Sequence, residues 1–506
     1  MPIQLARQID QPLYLQVAEQ LRNQIETGEL MPHTRLPASR VLAKKLGVNR
    51  VTIVNAYAEL EAEGLVTSRV GSGTFVTAGA NLTLSSDEIV SPSVWRGLPA
   101  LRRPWNANQM IAEMMRLARQ PGVISFAGGG PASEFLPVNQ FRRALNEVLR
   151  RDGPDALQYE EAAGYFPLRE TIAQALQQRN IQVKGEDVLI TAGCQQAVDI
   201  TLRVLAPDEG SAVIVEDPCY LGLLDLVTSR RLIPIGVPVD EHGLQTDLLE
   251  RLILRHHPRL ICVTPSFHNP TGLTMSFMRR RALLDIAVRY GVPILEDTTY
   301  DELCYEGKMQ PTLKSLDTAD LVFLAGSYSK SLIPGLRIGY LVAPTPLHAR
   351  MAATKQMVDI LTSPLNQRAL HAYLSSGHFD KHLQLVRSSY RERRDVMLAA
   401  IRQHFPVEAR WRCPEGGSYF WVEMPASGPT ATDLYLTAIN YNVAFAIGCF
   451  FSDSGSFSHA IRLNFISQAP PDIEEGIRRL GKAWKELLAR NKGIRQPGHR
   501  SVMHIL

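Results

Sequence analysis

Between about residues 119 and 490, short continuous apolar runs alternate with longer amphipathic stretches. The runs are Val188-Leu-Ile-Thr, Ala212-Val-Ile-Val-Glu, Leu260-Ile-Cys-Val-Thr, Val292-Pro-Ile-Leu-Glu-Asp and Leu321-Val-Phe-Leu-Ala. Runs that are apolar at every position suit strands covered on both faces, the condition of a mostly parallel sheet wrapped by helices. In such sheets, site residues gather at the C-terminal ends of the strands. The pattern predicts an α/β domain here. Residues 1–77 read differently, as short helical patterns closed by a glycine-rich hairpin. Leu36-Pro-Ala-Ser-Arg40 opens a short helix through Leu46, and Gly47-Val48-Asn49 makes a turn. A second helix is predicted from Arg50 to Glu63, with Val51, Val54, Ala58 and Leu60 as its apolar positions. Two helices joined by a short glycine-containing turn form a helix-turn-helix, whose second helix enters the major groove. The stretch from Val66 to Val76 then predicts a tight β-hairpin, a wing.

Residues 78–118, rich in Ser, Pro, Asn and Arg and without periodicity, read as a linker, and residues 491–506 as a basic, frayed tail. The 506 residues suggest roughly three domains. A composition of 45% hydrophobic and 21% charged residues gives an ordinary globular chain with ample core. No apolar run approaches the ~18 residues of a membrane helix, and the N-terminus has no signal-peptide apolar segment. The six cysteines are scattered, without a C-x-x-C pair. Reduced thiols in a cytoplasm, no membrane and no metal site are the expectation. The net charge of +4 is too small to indicate nucleic acid alone. Local charge changes that picture. Between Leu30 and Ala58 lie Arg35, Arg40, Lys44, Lys45 and Arg50 and no Asp or Glu, a face able to neutralise phosphates. The bland alternative is a helical cap with a solvated charged face.

The chemistry-bearing stretch is Gly326-Ser327-Tyr328-Ser329-Lys330, followed by Arg337. A lysine that forms a Schiff base with a phosphate-bearing aldehyde needs such neighbours: hydroxyls and an arginine grip the phosphate while the amine reaches the aldehyde carbon. Taken alone, the same run is a solvated lysine on a turn. Gly193-Cys194-Gln195 follows a strand and opens a helix, so exposed N–H groups can bind an anion there; it is also an ordinary β-α turn. Tyr220 offers a stacking face, or is a loop tyrosine. Asn269, in Asn-Pro-Thr-Gly, suits donation to a phenolate oxygen. Asp297, with Tyr300 three residues on, suits a buried carboxylate that keeps a ring nitrogen protonated, or else a helix N-cap. Arg462 alternates with large apolar residues, and fits either a buried carboxylate partner or an edge strand facing water.

The order of these parts is more specific than any one of them. L-P-A-S-R, L-G-V-N-R-x-T, A-Y-x-x-L-x-x-E-G-L and G-S-G-T-F-V over residues 11–77 resemble the winged helix of GntR-type bacterial regulators. The resemblance implies that Arg40 and Arg50 contact phosphates or bases, that Asn49 and Thr52 start the recognition helix, and that Gly71 and Gly73 approach the minor groove. Where that family often has an arginine four residues after Arg50, this chain has Val54, so one contact is missing or is replaced by Asn55. From about 119 to 488 the chain is similar to fold-type I, class I/II aminotransferases that use pyridoxal 5'-phosphate, which implies a mostly parallel sheet with a smaller C-terminal α+β subdomain. By that resemblance Lys330 carries the cofactor, Asp297 pairs with its ring nitrogen, Asn269 and Tyr300 bond its ring oxygen, and Tyr220 stacks. Gly193, Cys194, Gln195, Ser327, Ser329 and Arg337 hold the phosphate, Tyr159 reaches the neighbouring subunit's phosphate in a homodimer, and Arg462 binds a substrate carboxylate. Cys194 stands where serine or alanine is frequent, which affects little because the backbone is the contact. The fusion resembles the MocR subfamily of transcriptional regulators. It implies operator DNA as one partner and an amino compound or the vitamer as effector, with an active aminotransferase carrying a DNA-binding domain as the alternative.

Overall fold

The computed structural model describes residues 12–26, 30, 34–62, 65–69, 73–77, 116–118 and 120–494, in two compact units divided between Pro99 and Ala100. The stretch read as linker lies almost wholly outside the described residues, as do 495–506 and Gly71.

In the first unit, α1 (Leu13–Glu26), α2 (Ser39–Leu46) and α3 (Arg50–Ala62) precede an antiparallel pair, β1 (Val66–Arg69) and β2 (Gly73–Val76). Gly47, left-handed at φ +63°, ends α2, and its N–H reaches the Ala43 carbonyl. Asn49 then starts α3, its Oδ1 accepting from the Val51 N–H at 3.0 Å. Val17, Leu21 and Ile25 of α1 meet Ile53, Ala56 and Leu60 of α3 and Val66 and Val76 of the hairpin in one core. The packed stripe of α3 is therefore 53, 56, 57 and 60. Of the apolar positions expected from the sequence, Leu60 is buried, whereas Val51 is 60% and Val54 45% exposed. Val51, Val54 and Ala58 share a second face at helical spacing; contact with α1 and the hairpin buries the face of Ile53, Ala56, Tyr57 and Leu60 instead.

The second unit begins with β3 (Ile124–Ser125) and is built on an eight-stranded sheet. Its strands are β4 (Val188–Thr191), β5 (Ala212–Asp217), β6 (Ile233–Asp240), β7 (Gly243–Leu244), β8 (Leu260–Val263), β9 (Ile294–Asp297), β10 (Val322–Ser327) and β11 (Gly339–Val342). Their order is β4-β11-β10-β9-β8-β5-β6-β7; β6, β5, β8, β9 and β10 run parallel, and β11 and β7 pair antiparallel to their neighbours. Val213 and Val215 enter one apolar cluster with Leu189, Leu295 and Phe323, while Ile214 enters another with Ile261 and Ile294 on the opposite face. Burial on both sides is what makes these strands read as continuous apolar runs.

A second lobe carries β12 (Arg410–Trp411), β13 (Tyr419–Glu423), β14 (Val443–Ala444), β15 (Ala446–Ile447) and β16 (Ala460–Asn464). They form the antiparallel order β12-β13-β16-β15, with β14 pairing β3 instead. Two long helices, His378–His404 and Pro470–Ile494, pack around Trp484, Phe405, Phe420, Phe445 and Phe465. The last helix runs four residues into the stretch read as tail. Phe126, following β3, is fully buried in this lobe's core, which ties the start of the domain to its end. Among the described residues no helix is long and apolar enough to cross a membrane, and no group of three metal-binding side chains occurs.

Candidate functional site

The C-terminal ends of β4, β5, β9 and β10 open onto one cavity of about 370 Å³, closed from the second lobe by Tyr419, Phe445, Phe451 and Arg462. Of the residues expected from the sequence, Cys194, Gln195, Tyr220, Asn269, Asp297, Tyr300, Ser327, Ser329, Lys330, Arg337 and Arg462 all line it.

One side is built for an anion. Gly193 has φ +87° and precedes the helix Cys194–Leu205. A Cβ there would lie 2.6 Å from Arg337 Nη2, so only glycine lets the guanidinium settle on the turn. Arg337, itself left-handed at φ +53°, donates to the Ala192 carbonyl at 3.2 Å and to Ser329 Oγ at 3.3 Å. Gly339 supports the same turn from β11, where a Cβ would come within 2.7 Å of the Gly193 carbonyl carbon. A helix N-terminus, two serines and an arginine without a carboxylate partner among the described residues leave room for a dianion.

Asp297 ends β9, its Oδ1 accepting from the Thr299 N–H at 2.9 Å. No helix starts there, so the N-cap alternative fails. It makes no ion pair among the described residues, and burial pushes its carboxyl above the usual carboxylate range. Burial, then the neighbouring Asp297, likewise push the Cys194 thiol well up, so Cys194 sits there as a neutral thiol. Lys330 follows β10, and its Nζ donates to the Gly129 carbonyl at 2.8 Å rather than to a carboxylate.

The opposite wall is a polar relay. β16 lies between β13 and β15, so Arg462 is central and 7% exposed, not an edge arginine in water. It donates to Asn269 Oδ1 at 2.8 Å and to the Ala127 carbonyl at 2.7 Å, and its guanidinium lies 4.1 Å from the centre of the Tyr419 ring. Its Nε is buried without a partner, and it has no ion pair among the described residues. Asn269 Nδ2 in turn donates to the Tyr300 hydroxyl at 3.4 Å, which lies 3.1 Å from that of Tyr419. Burial, reinforced by Tyr419, pushes the Tyr300 hydroxyl well up. At Tyr419 burial acts the same way, but Arg462 and Lys330 outweigh it and draw that hydroxyl below the usual tyrosine range.

Tyr159 is 84% exposed and does not line the cavity of this single chain. Tyr419, Thr299, the Gly128-Gly129 pair and the Phe445, Phe450 and Phe451 wall were not singled out in the sequence, though all line the cavity. Gly128-Gly129-Gly130-Pro131 was the available signal for one of them: a Cβ on Gly129 would meet the Tyr419 hydroxyl at 2.5 Å.

In the first unit Arg35, Arg40, Lys44, Lys45, Asn49 and Arg50 are exposed, and Thr52 is half-buried. Arg50 Nε donates to Ser39 Oγ at 3.3 Å, holding the guanidinium beside the start of α2. Gly73 has φ +112°, and a Cβ there would lie 2.8 Å from Arg35 Nε. This packing alone accounts for a glycine at that position.

A doubly covered, mostly parallel sheet with an anion turn, a half-buried aspartate and a lysine at its strand ends defines an aminotransferase-type fold. Residues 122–480 match the aminotransferase class I and II family, and residues 13–76 match the gntR family of bacterial regulatory proteins. The chain belongs to the aminotransferase class I and II family over most of its length, with a gntR-type domain ahead of it. It is 30% identical over 480 residues to the HTH-type transcriptional regulator YdfD of Bacillus subtilis, covering 95% of this chain and 98% of that one. It is 34% identical over 405 residues to the probable rhizopine catabolism regulatory protein MocR of Rhizobium meliloti, with 79% of each chain covered. Among solved structures, LysN, an α-aminoadipate aminotransferase from Thermus thermophilus complexed with N-(5'-phosphopyridoxyl)-L-leucine, superposes with a TM-score of 0.70. That pair is 37% identical over 75% of this chain and 95% of the other. The chain is thus a GntR-type DNA-binding regulator fused to an aminotransferase-like domain, the MocR-type organisation, and pyridoxal 5'-phosphate is the cofactor of that domain. The residues present fit the cofactor. A half-buried carboxylate without a cation and two arginines without carboxylates, among the described residues, together with a glycine cradle at 193, are its chemical complement.

Proposed function

We propose that the large domain is a sensor that holds pyridoxal 5'-phosphate and responds to an amino acid, and that its occupancy controls DNA binding by the gntR-type domain. The carrying observation is that Arg337 and Arg462, on two sides of one cavity with Lys330 and Asp297, have no carboxylate partner among the described residues. Bound there, the cofactor supplies an aldehyde that condenses with primary amines and a ring that withdraws electrons. Lys330 is the amine that carries it, and, once released, its Nζ is placed to move a proton. Asp297 keeps a proton on the ring nitrogen. Gly193, Cys194, Gln195, Ser327, Ser329 and Arg337 hold the phosphate, Asn269 and Tyr300 the ring oxygen, and Tyr220 lies on the ring face. Exposed Tyr159 completes the phosphate site of a second subunit, which makes a homodimer part of the reading.

Arg462 takes the effector's carboxylate, which replaces Asn269 Oδ1 or satisfies the orphaned Nε. Beyond it the wall is Leu221, Phe445, Phe450 and Phe451, and among the described residues the lining has no cation other than Lys330, Arg337 and Arg462. A second carboxylate on the effector finds no further cation among the described lining residues. The effector class is an α-amino monocarboxylate with an apolar side chain, which this wall of the cavity suits. Arg462→Ala should weaken effector binding by about 1.5–3 kcal/mol, the worth of a charged hydrogen bond, and leave cofactor affinity unchanged. Calorimetry of L-leucine and L-phenylalanine against the holoprotein, with L-glutamate as control, checks both points. Tight glutamate binding or an indifferent variant defeats the assignment. On the DNA side, Arg50→Ala should cost about 1–3 kcal/mol of operator affinity without altering cofactor binding. An unchanged gel shift would take Arg50 off the contact surface.

Regulation demands that the effector favour one arrangement of the chain over another; tight binding alone shifts nothing. A working aminotransferase is the less favoured reading, because a metabolic enzyme has no use for the exposed cationic face around α2 and α3.

A further inference from the structure

The outward face of α3 has a composition that packing does not explain. Val51, Val54, Asn55 and Ala58 share one helix face, at the i, i+3, i+4, i+7 spacing, and all four are exposed. Their opposites, Ile53, Ala56, Tyr57 and Leu60, fill the core. A solvated helix face ordinarily carries charge. Here the charge is moved to the margins: Arg50 at the first residue of α3, Arg40, Lys44 and Lys45 exposed on α2, and Glu61 at the far end, accepting from the Ser68 N–H at 2.7 Å. Arg50 is the only lysine or arginine in α3. An apolar stripe framed by cations suits a polyanion whose interior offers methyl groups, which describes the major groove of duplex DNA over A·T pairs.

We propose that α3 reads thymine: Val51 and Val54 pack against thymine 5-methyl groups, and Asn55 pairs with an adjacent adenine. DNA binding by this domain follows from its gntR family; the base preference is the new step. In the major groove only thymine presents a methyl, asparagine matches the N6/N7 edge of adenine, and guanine is read chiefly by arginine or lysine. The outward stripe of α3 has the first two and lacks the third. Arg50, held by Ser39, is left for phosphate or for the end of the site.

The test uses the full-length protein and a pool of random-sequence duplexes, from which bound sequences are enriched. The enriched duplex is then remade with single thymines replaced by deoxyuridine, which removes the methyl and nothing else. Under each α3, one or two thymines should be found whose replacement weakens binding about fourfold, the worth of one buried methyl. In Val54→Ala, whose residue is exposed and outside the core, the penalty at one of these positions should vanish. Binding that stays within twofold when every thymine is replaced overturns the proposal. So does an enriched site whose affinity depends on guanine N7, shown by 7-deazaguanine, or a pool that binds without enriching any sequence.

Discussion

Asp297→Ala should lower the affinity for pyridoxal 5'-phosphate by about 3–5 kcal/mol, roughly a hundredfold to a few thousandfold, because it removes one partner of the charge pair that the bound ring would bury. The magnitude rests on the setting of the carboxylate. It has no cation among the described residues, is pushed up by burial, and is held by the Thr299 N–H in a position that no helix end requires. A carboxylate kept there at a cost is explained by a cationic ring nitrogen arriving with the ligand. The consequence for stability has opposite signs in the two states. Without the vitamer, losing a half-buried carboxyl that has no cation among the described residues should leave the melting temperature unchanged or raise it. With saturating vitamer, the wild type should gain stability as ligand concentration over Kd increases, and the variant should gain far less. Asp297→Asn keeps the shape without the charge and should fall between. Fluorescence titration and paired melting curves decide the matter. If Asp297→Ala bound the vitamer as tightly as wild type, the carboxylate would have no part in holding the ring.

What was legible in the sequence follows from how each element is buried. The five apolar runs became β4, β5, β8, β9 and β10 because central parallel strands are covered on both faces, and their C-terminal ends delivered Asp297 and the Lys330 stretch. β6 escaped notice because it holds Pro234 and Pro238; β7 pairs only with its Val239 and Asp240, so both prolines lie on an edge among the described strands, where missing donors are tolerated. β11 is four residues, Gly339–Val342, inserted antiparallel between β4 and β10; such placement is decided by tertiary pairing alone. Arg462 stood out as a charge among apolar neighbours. Tyr419 did not, because in Tyr-Phe-Trp-Val it is one more aromatic, and its role appears only when β13 brings it under the Arg462 guanidinium. On α3 Val51, Val54 and Ala58 stood out as apolar positions, although Ile53, Ala56, Tyr57 and Leu60 form the more apolar stripe and are the ones in the core. The same error exposes the stripe left for DNA.

Lys330→Ala should abolish the absorbance band of the lysine-bound vitamer, and borohydride treatment should no longer fix the cofactor to the chain. The reason is geometric: among the described residues Lys330 is the only lysine lining the cavity, and its Nζ is held by a single neutral acceptor, the Gly129 carbonyl, so no ion pair must be broken to free it. The phosphate contacts proposed for Gly193, Cys194, Gln195 and Arg337 do not depend on this amine, so the vitamer should still bind, reversibly and more weakly. Any amino-group transfer the wild type performs should fall by about 10²–10⁴-fold, the usual contribution of a positioned acid–base group. The DNA assay then separates the two readings of the domain. For a sensor, Lys330→Ala should bind operator as the unliganded wild type does and lose its response to L-leucine or L-phenylalanine. For an enzyme with an incidental DNA-binding domain, transfer is lost but operator affinity never responded to the amino acid in the wild type. A wild type whose operator affinity ignores every apolar amino acid, in a preparation showing the full lysine-bound band, would refute sensing while leaving the cofactor site intact.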